Sequence, residues 1–331
     1  MLTKVLASDP IVRHMMDAPR DATMGSPLLV PFDGSAHAES VFPYVALLAD
    51  GDQDVILLQV VPEAQSVSSP LGDVMLSANE LRQATEAAAR ADLDRAATQL
   101  ASVAPSVRIE RLVEVGDPSQ QISDVATRRK ARGILLSSQG VSATGPSGFG
   151  TVVGHVVSMA PVPVMVVRPN GIAPDSDLVA RFVVAHDGSE HAAQAVPLAQ
   201  DLARRLSAHI HIITVVEDED SPLSGSVAAT IDPHVRDEAQ GDALNLARHR
   251  VEGTGAHLMR QGLPASWQVL AGPAAPAIIA ACVDRDVLVI TSHGQSRSRW
   301  VLGSVAEKLL RDSRVPVILL RTSSGAEGTA P

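Results

Sequence analysis

Four short stretches of this chain return in the same order in its second half, and that repeat constrains the fold more than any other feature. Val30-Pro31-Phe32-Asp33-Gly34-Ser35 comes back as Val184-Ala185-His186-Asp187-Gly188-Ser189, and Ser137-Ser138-Gln139-Gly140 as Thr291-Ser292-His293-Gly294. Gly150-Thr151 comes back as Gly303-Ser304, and Pro163-Val164-Met165-Val166-Val167-Arg168 as Pro316-Val317-Ile318-Leu319-Leu320-Arg321. Subtracting first residues gives offsets of 154, 154, 153 and 153, so one fold has been duplicated with almost no drift. A length of 331 residues agrees with two ordinary domains. Each copy is large enough to bury a core without metals or disulfides.

Hydrophobic residues make up 45% of the chain but aromatics only 2%, so the core must be aliphatic. The lone Cys282 excludes a disulfide framework and a Cys-based metal cluster, and fits a reducing cytosol. Within its apolar run it reads as a small core residue rather than a nucleophile. A net charge of -10 without a Lys/Arg block argues against nucleic acid as a partner. Scarce aromatics argue against a stacking platform for single strands. Apolar runs stop far short of the roughly 20 residues a membrane span requires. The first 24 residues carry Asp9, Asp17 and Asp21 and lack a long apolar centre, unlike a secretory signal. These features predict a soluble, cytoplasmic protein.

Within each copy, β-rich apolar runs alternate with helical stretches. In the first copy the predicted strands cover 28–32, 55–61, 107–115, 133–136 and 162–167; in the second, 182–185, 210–216, 267–270, 287–290 and 315–320. A helix is expected over 38–49, and longer ones over 76–100 and 233–250. Continuous apolar strands without polar alternation are those covered on both faces. The fold class is therefore α/β: two tandem copies of a five-stranded, parallel, doubly wound sheet. The expected domains are 26–169 and 179–322, with an N-terminal extension over 1–25, a linker over 170–178 and a disordered tail over 323–331.

Open parallel sheets bind ligands outside the carboxyl ends of their strands, where the strand order reverses. Three features of each copy fall there: Asp33 or Asp187 after the first strand, Val60 or Val215 at the end of the second, and the glycine-containing loop after the fourth. That loop leads into a helix opened by Gly150-Thr151 or Gly303-Ser304, and backbone N–H groups at a helix start form an anion site. Read alone, the same residues are also ordinary caps and turns: each Asp a turn residue, each Val a buried strand residue. His186, His191 and His293 have no Cys or carboxylate partner at zinc-like spacing and read as surface or loop histidines.

These motifs, with Gly303-Ser304-Val305-Ala306-Glu307-Lys308-Leu309-Leu310, resemble the universal stress protein family over almost all of 26–321. The resemblance implies a Rossmann-like sheet of the adenine-nucleotide α-hydrolase kind. It also implies ATP binding, possible in company with Mg²⁺, through Gly-x2-Gly-x9-Gly-Ser/Thr after the fourth strand. Carried over residue by residue, Asp33 and Asp187 contact adenine or ribose, and Val60 and Val215 line the base pocket. Ser137, Gly140, Gly150 and Thr151 in the first copy, and Thr291, Gly294, Gly303 and Ser304 in the second, occupy the loop motif. Ser137 and Thr291 stand where the family has its leading glycine, and only eight residues separate Gly294 from Gly303. Glycine spacing favours the first loop, whereas Arg297 and Arg299 favour the second; spacing is given the greater weight.

No Gly-x4-Gly-Lys-Ser/Thr, Gly-x-Ser-x-Gly or Gly-x-Gly-x2-Gly follows the expected strands. The chain is therefore expected to be a nucleotide-binding regulatory module without dedicated catalysis, slow ATP hydrolysis remaining open. The alternative is a nucleotide-independent interaction or dimerisation scaffold with degenerate loops. By the family's habit of pairing through the last strand, the two copies are expected to form an intrachain pseudo-dimer, with a homodimer of chains as a further option. Segments 62–74 and 217–231 are long enough to act as lids.

Overall fold

The protein is described by a computed structural model covering residues 26–49, 54–68, 74–140, 150–169, 179–217, 233–292 and 302–322. The N-terminal extension, the linker and the tail expected from the sequence lie outside the described residues. The chain divides into two compact units, one spanning 21–174 and one containing 175–331.

The first unit runs β1 (Leu28–Pro31), a 3-10 turn (Ala38–Val41), α1 (Phe42–Leu48), β2 (Asp54–Val61), β3 (Val67–Ser68), β4 (Val74–Leu76), α2 (Ala78–Val103), β5 (Arg108–Val115), α3 (Pro118–Arg128), β6 (Gly133–Ser137), α4 (Thr151–Met159) and β7 (Val164–Val167). Its main sheet has the order β7-β6-β1-β2-β5, and every pairing is parallel. The chain moves outward from β1 through β2 to β5, then returns to the other side of β1 with β6 and β7. The order therefore reverses between β1 and β6, the position outside whose carboxyl ends open parallel sheets bind ligands. Within the expected lid segment 62–74, β3 pairs antiparallel with β4, which begins at the segment's end.

The second unit runs β8 (Arg181–Ala185), α5 (Glu190–Ala193), α6 (Ala195–Leu206), β9 (His209–Val216), α7 (Pro233–Arg260), β10 (Ala265–Ala271), α8 (Ala274–Ala281), β11 (Asp286–Thr291), α9 (Ser304–Asp312) and β12 (Val317–Leu320). Its strands follow the same plan, β10-β9-β8-β11-β12, again parallel throughout, with the reversal between β8 and β11. Both units are thus the five-stranded parallel α/β sheets expected from the alternating runs.

Burial follows strand position. The inner strands β6 and β11 are buried along their whole length. The edge strand β5 exposes Arg108, Glu110 and Arg111 instead, and charge at an edge discourages pairing with another chain. The core is aliphatic, with few rings: Phe32 stacks on Phe42 at a centroid separation of 6.3 Å. In the second unit the ring of Trp267 lies against the backbone of α7 at Gly255, where any Cβ would collide with it.

That contact explains one difference from the sequence reading. α7 continues about ten residues past the expected end near Arg250, because Gly253 and Gly255 look like helix breakers, yet Gly255 is what lets the indole pack. Two other boundaries shift for local reasons. Pro163 and Pro316 were assigned to the last strands, but a proline has no N–H for the ladder. The strands begin one residue later, while the proline carbonyls accept from Ile134 and Leu288 N–H at 2.9 Å each. The single helix expected over 38–49 is a 3-10 turn followed by α1, with Pro43 in the first helical turn of α1.

Helix α2 starts at a full capping box. Ser77 Oγ accepts the Glu80 N–H, and Glu80 reaches back to the Ser77 N–H at 3.0 Å. In the second unit a buried fork joins the amino ends of β8 and β11: Arg181 donates to Asp286 at 2.8 and 2.6 Å, and the Asp286 side chain is fully buried. Beside it, Ser266 Oγ lies 2.7 Å from both His209 Nε2 and His211 Nδ1. Burial lowers both imidazoles below their ordinary 6.5, and the nearby Arg181 charge acts in the same direction. Among the described residues no helix is long and apolar enough to cross a membrane.

Two expectations follow. Arg181→Ala leaves the Asp286 carboxylate buried without its cation, and should lower unfolding stability by about 3–5 kcal/mol, read from the urea midpoint. Burial favours the neutral form of His211 in the fold, so its contribution is complete above the unfolded-state value of 6.5 and is lost as pH falls through the lower folded value. The melting temperature should therefore drop as pH falls below about 6.5, and drop less in His211→Gln.

Candidate functional site

The turn after the first strand is built alike in both copies. Asp33 Oδ1 accepts the Ser35 N–H at 3.0 Å, and Ser35 Oγ accepts the Ala38 N–H at 3.2 Å. In the second copy Asp187 Oδ1 accepts the Ser189 N–H at 3.0 Å, and Ser189 Oγ accepts the Ala192 N–H at 3.1 Å. Each Asp thus organises the turn; Ser189 is the N-cap of α5, and Ser35 makes the matching bond to the first residue of the 3-10 turn. The glycine between them needs its freedom, with φ at +83° for Gly34 and +82° for Gly188. His186, read from sequence as a surface or loop histidine, is instead buried, and its Nδ1 accepts the Gly188 N–H at 2.8 Å. His191 lies in α5, and His293 falls outside the described residues. Among the described residues no group of three or more His, Cys, Asp or Glu side chains is placed to hold a metal ion.

At the end of the second strand, burial relaxes. Val60 and Val215 are half-buried; Gln59 shares that partial cover in the first copy, where Val61 is buried again, and Val216 shares it in the second. An apolar face at a strand end that is only partly covered suits a flat, weakly polar ring.

The fourth strand ends at Ser137 or Thr291, both buried. The next residue ties the loop to the neighbouring strand: Ser138 N–H donates to Val167 at 2.7 Å, and Ser292 N–H to Leu320 at 2.9 Å. The far end of the loop returns to the same residue, with Gly150 N–H donating to Ser138 and Gly303 N–H to Ser292, each at 3.0 Å. The amides of the two glycines are therefore used within the fold and are not ligand donors. Gly150 and Gly303 occupy the N-cap positions of α4 and α9 and bring no side-chain acceptor to the amides that follow. Thr151 and Ser304, the first helical residues, are exposed. A Cβ on Gly303 would lie only 3.3 Å from the Ser292 carbonyl oxygen, so this crossing requires close backbone approach. Gly140 lies against the Asp33 carboxylate in the first copy, leaving no room for a Cβ. Gly294, Arg297 and Arg299 lie outside the described residues, as do 141–149.

In the second copy these parts border an open cavity of about 660 Å³ beyond the carboxyl ends of β8, β9 and β11. Of the residues expected from sequence, Asp187, Val215, Thr291, Gly303 and Ser304 line it. Glycine spacing pointed first to the other copy; this cavity belongs to the second. It is also lined by His186, Glu217, Arg250 and Thr254, which sequence reasoning did not select. Glu217 Oε1 accepts the Ala274 N–H at the start of α8 at 3.3 Å, a carboxylate at the positive end of a helix. Arg250 comes from the middle of α7 and carries no local signal, since a lone arginine on a helix reads as solvated surface. Cys282, at the end of α8, does not line the cavity; burial pushes its thiol up to about 12, with the Asp286 charge adding to the rise. It is no nucleophile at neutral pH.

The model of the universal stress protein family matches residues 24–168 and again 179–321. The stress response protein NhaX of Bacillus subtilis is 30% identical over 162 residues, covering 43% of this chain and 97% of its own length. Among solved structures, a universal stress protein from Archaeoglobus fulgidus superposes with a TM-score of 0.65 at 20% identity, over 91% of this chain and all of its own. A similar protein from Pseudomonas aeruginosa, described as a putative universal stress protein, gives 0.53 at 16% identity, over 89% of this chain and 93% of its own. With the duplicated turns, the parallel sheets and two family matches in agreement, the chain belongs to the universal stress protein family as a tandem of two such domains.

Proposed function

We propose that the chain is an adenine-nucleotide-binding module of the stress response, holding ATP, in company with Mg²⁺, as a regulatory ligand rather than turning it over. The observation that carries this reading is the second-copy cavity of about 660 Å³ at the strand reversal, with Gly303 opening α9 into it. Its volume lies within the roughly 300–1,000 Å³ of small-ligand sites. Asp187 is assigned to adenine or ribose and Val215 to the base. Thr291, Gly294, Gly303 and Ser304 are assigned to the phosphates, the donors being amides beyond Gly303 itself and the Ser304 hydroxyl. Asp33, Val60, Ser137, Gly140, Gly150 and Thr151 form the corresponding set in the first copy. Placement in the cytoplasm belongs to the same reading. Two copies in one chain also fit an intrachain pair.

A nucleotide-independent interaction module is the second reading. It draws on Ser137 and Thr291, whose buried side chains stand where a glycine would let phosphate come closest. Titration of the full chain with ATP and Mg²⁺ separates the two. Saturable binding is expected, and nucleotide at one hundred times its Kd should stabilise the fold by about 2.7 kcal/mol in a thermal melt. A flat melting temperature and no heat of binding up to millimolar nucleotide would sink the nucleotide reading and leave the interaction module.

A further inference from the structure

The long helix of each copy lays one side chain over the turn glycine, and the two side chains have opposite charge. In the first copy a Cβ built on Gly34 would lie 2.9 Å from Asp92 Oδ2 of α2. In the second copy the same construction on Gly188 falls 2.7 Å from Arg250 Nη1 of α7. The first turn therefore has two carboxylates close by, since Asp33 begins that turn. Asp92 is paired at 3.0 Å with Arg95, so that arginine is already committed. At the second turn Arg250 lines the cavity, and among the described residues no carboxylate forms an ion pair with it.

We propose that the adenosine phosphate is taken by the second copy alone, and that Arg250 makes that site prefer a phosphorylated ligand to the uncharged nucleoside. The inference rests on the nucleotide reading above and adds which copy is occupied and by what charge it selects. Asp187 and Glu217 also line the cavity. Asp187 Oδ1 accepts the Ser189 N–H and Glu217 Oε1 the Ala274 N–H, so both bring a carboxylate to the cavity wall. Arg250 is the cation among the described lining residues that offsets them. A guanidinium presents paired donors in a fixed plane, the geometry that fits phosphate oxygens. Without it, the charged carboxylates Asp187 and Glu217 face an incoming anion with no cation among the described lining residues.

The test measures binding of AMP, ATP with Mg²⁺ and adenosine to the full chain by calorimetry. The wild type, Arg250→Gln, Arg250→Lys and the same-helix control Arg248→Gln are compared. One nucleotide per chain is expected. Arg250→Gln should weaken AMP and ATP by about tenfold, the size of one lost charge-assisted contact, and leave adenosine within about twofold. Arg250→Lys should recover part of the loss, and Arg248→Gln should match the wild type. Arg250 is exposed, so the variants should melt with the wild type, which checks that they fold. Two nucleotides per chain, or equal weakening of adenosine and AMP, or no change in Arg250→Gln, would overturn this inference while nucleotide binding stood. Failure of the wild type to bind any of the three would overturn the nucleotide reading and this inference with it.

Discussion

The parallel pairing of β8 with β11 is short, Arg181 to Val184 against Asp286 to Val289, and the geometry at the strand ends depends on it. It is a ladder between strands about a hundred residues apart in the chain, and its register decides whether Asp187 and Thr291 face one crevice. Three kinds of contact hold that register. The residues are almost wholly buried, so a slip of one position would exchange the side chains packed against the two faces and misfit both. The Arg181–Asp286 fork closes the amino end, and Asp286 also accepts the Val283 N–H at 2.8 Å. At the carboxyl end, Ser292 joins both β12 and the start of α9 through its N–H and its carbonyl. The first copy has the same carboxyl-end arrangement at Ser138. Its amino end carries Leu28 opposite Gly133 instead of an ion pair.

Duplication gave both copies the same backbone plan and left their side chains to diverge. The Asp-Gly-Ser turns agree to within a degree at the glycine. The glycine-to-serine closures behind the last helices agree in length. What differs is what the long helix places over the turn, a carboxylate in one copy and a guanidinium in the other. A shared scaffold with unlike local charge separates the tasks of folding and recognition, since a charge at an exposed helix position costs the fold little.

Much of the architecture was legible because its causes are local. Continuous apolar runs such as 55–61 and 287–290 mark strands covered on both faces, and the repeat turns each assignment into two. Of the residues the sequence offers for the candidate site, Asp187, Val215, Thr291, Gly303 and Ser304 line one cavity. Other features were hidden for physical reasons. Gly255 counts against a helix until Trp267, on the adjacent strand, gives it a packing role. His186 reads as a loop histidine because nothing in sequence shows the walls that bury it. Arg250 and Glu217 reach the cavity from α7 and the end of β9, and no spacing rule joins them to the turn. That the amides of Gly150 and Gly303 are consumed internally is likewise a fact of the folded loop, invisible in the motif.

The seating of Trp267 on Gly255 gives the second copy an internal optical gauge. Trp267 and Trp300 are the chain's only tryptophans. The indole of Trp267 touches the same helix that carries Arg250, little more than one turn away. Any rotation or lift of α7 over the cavity must change what surrounds that ring, and with it the colour and intensity of its emission. In the Trp300→Phe background that signal belongs to a single fluorophore, so helix movement on ligand entry can be followed without attaching a dye.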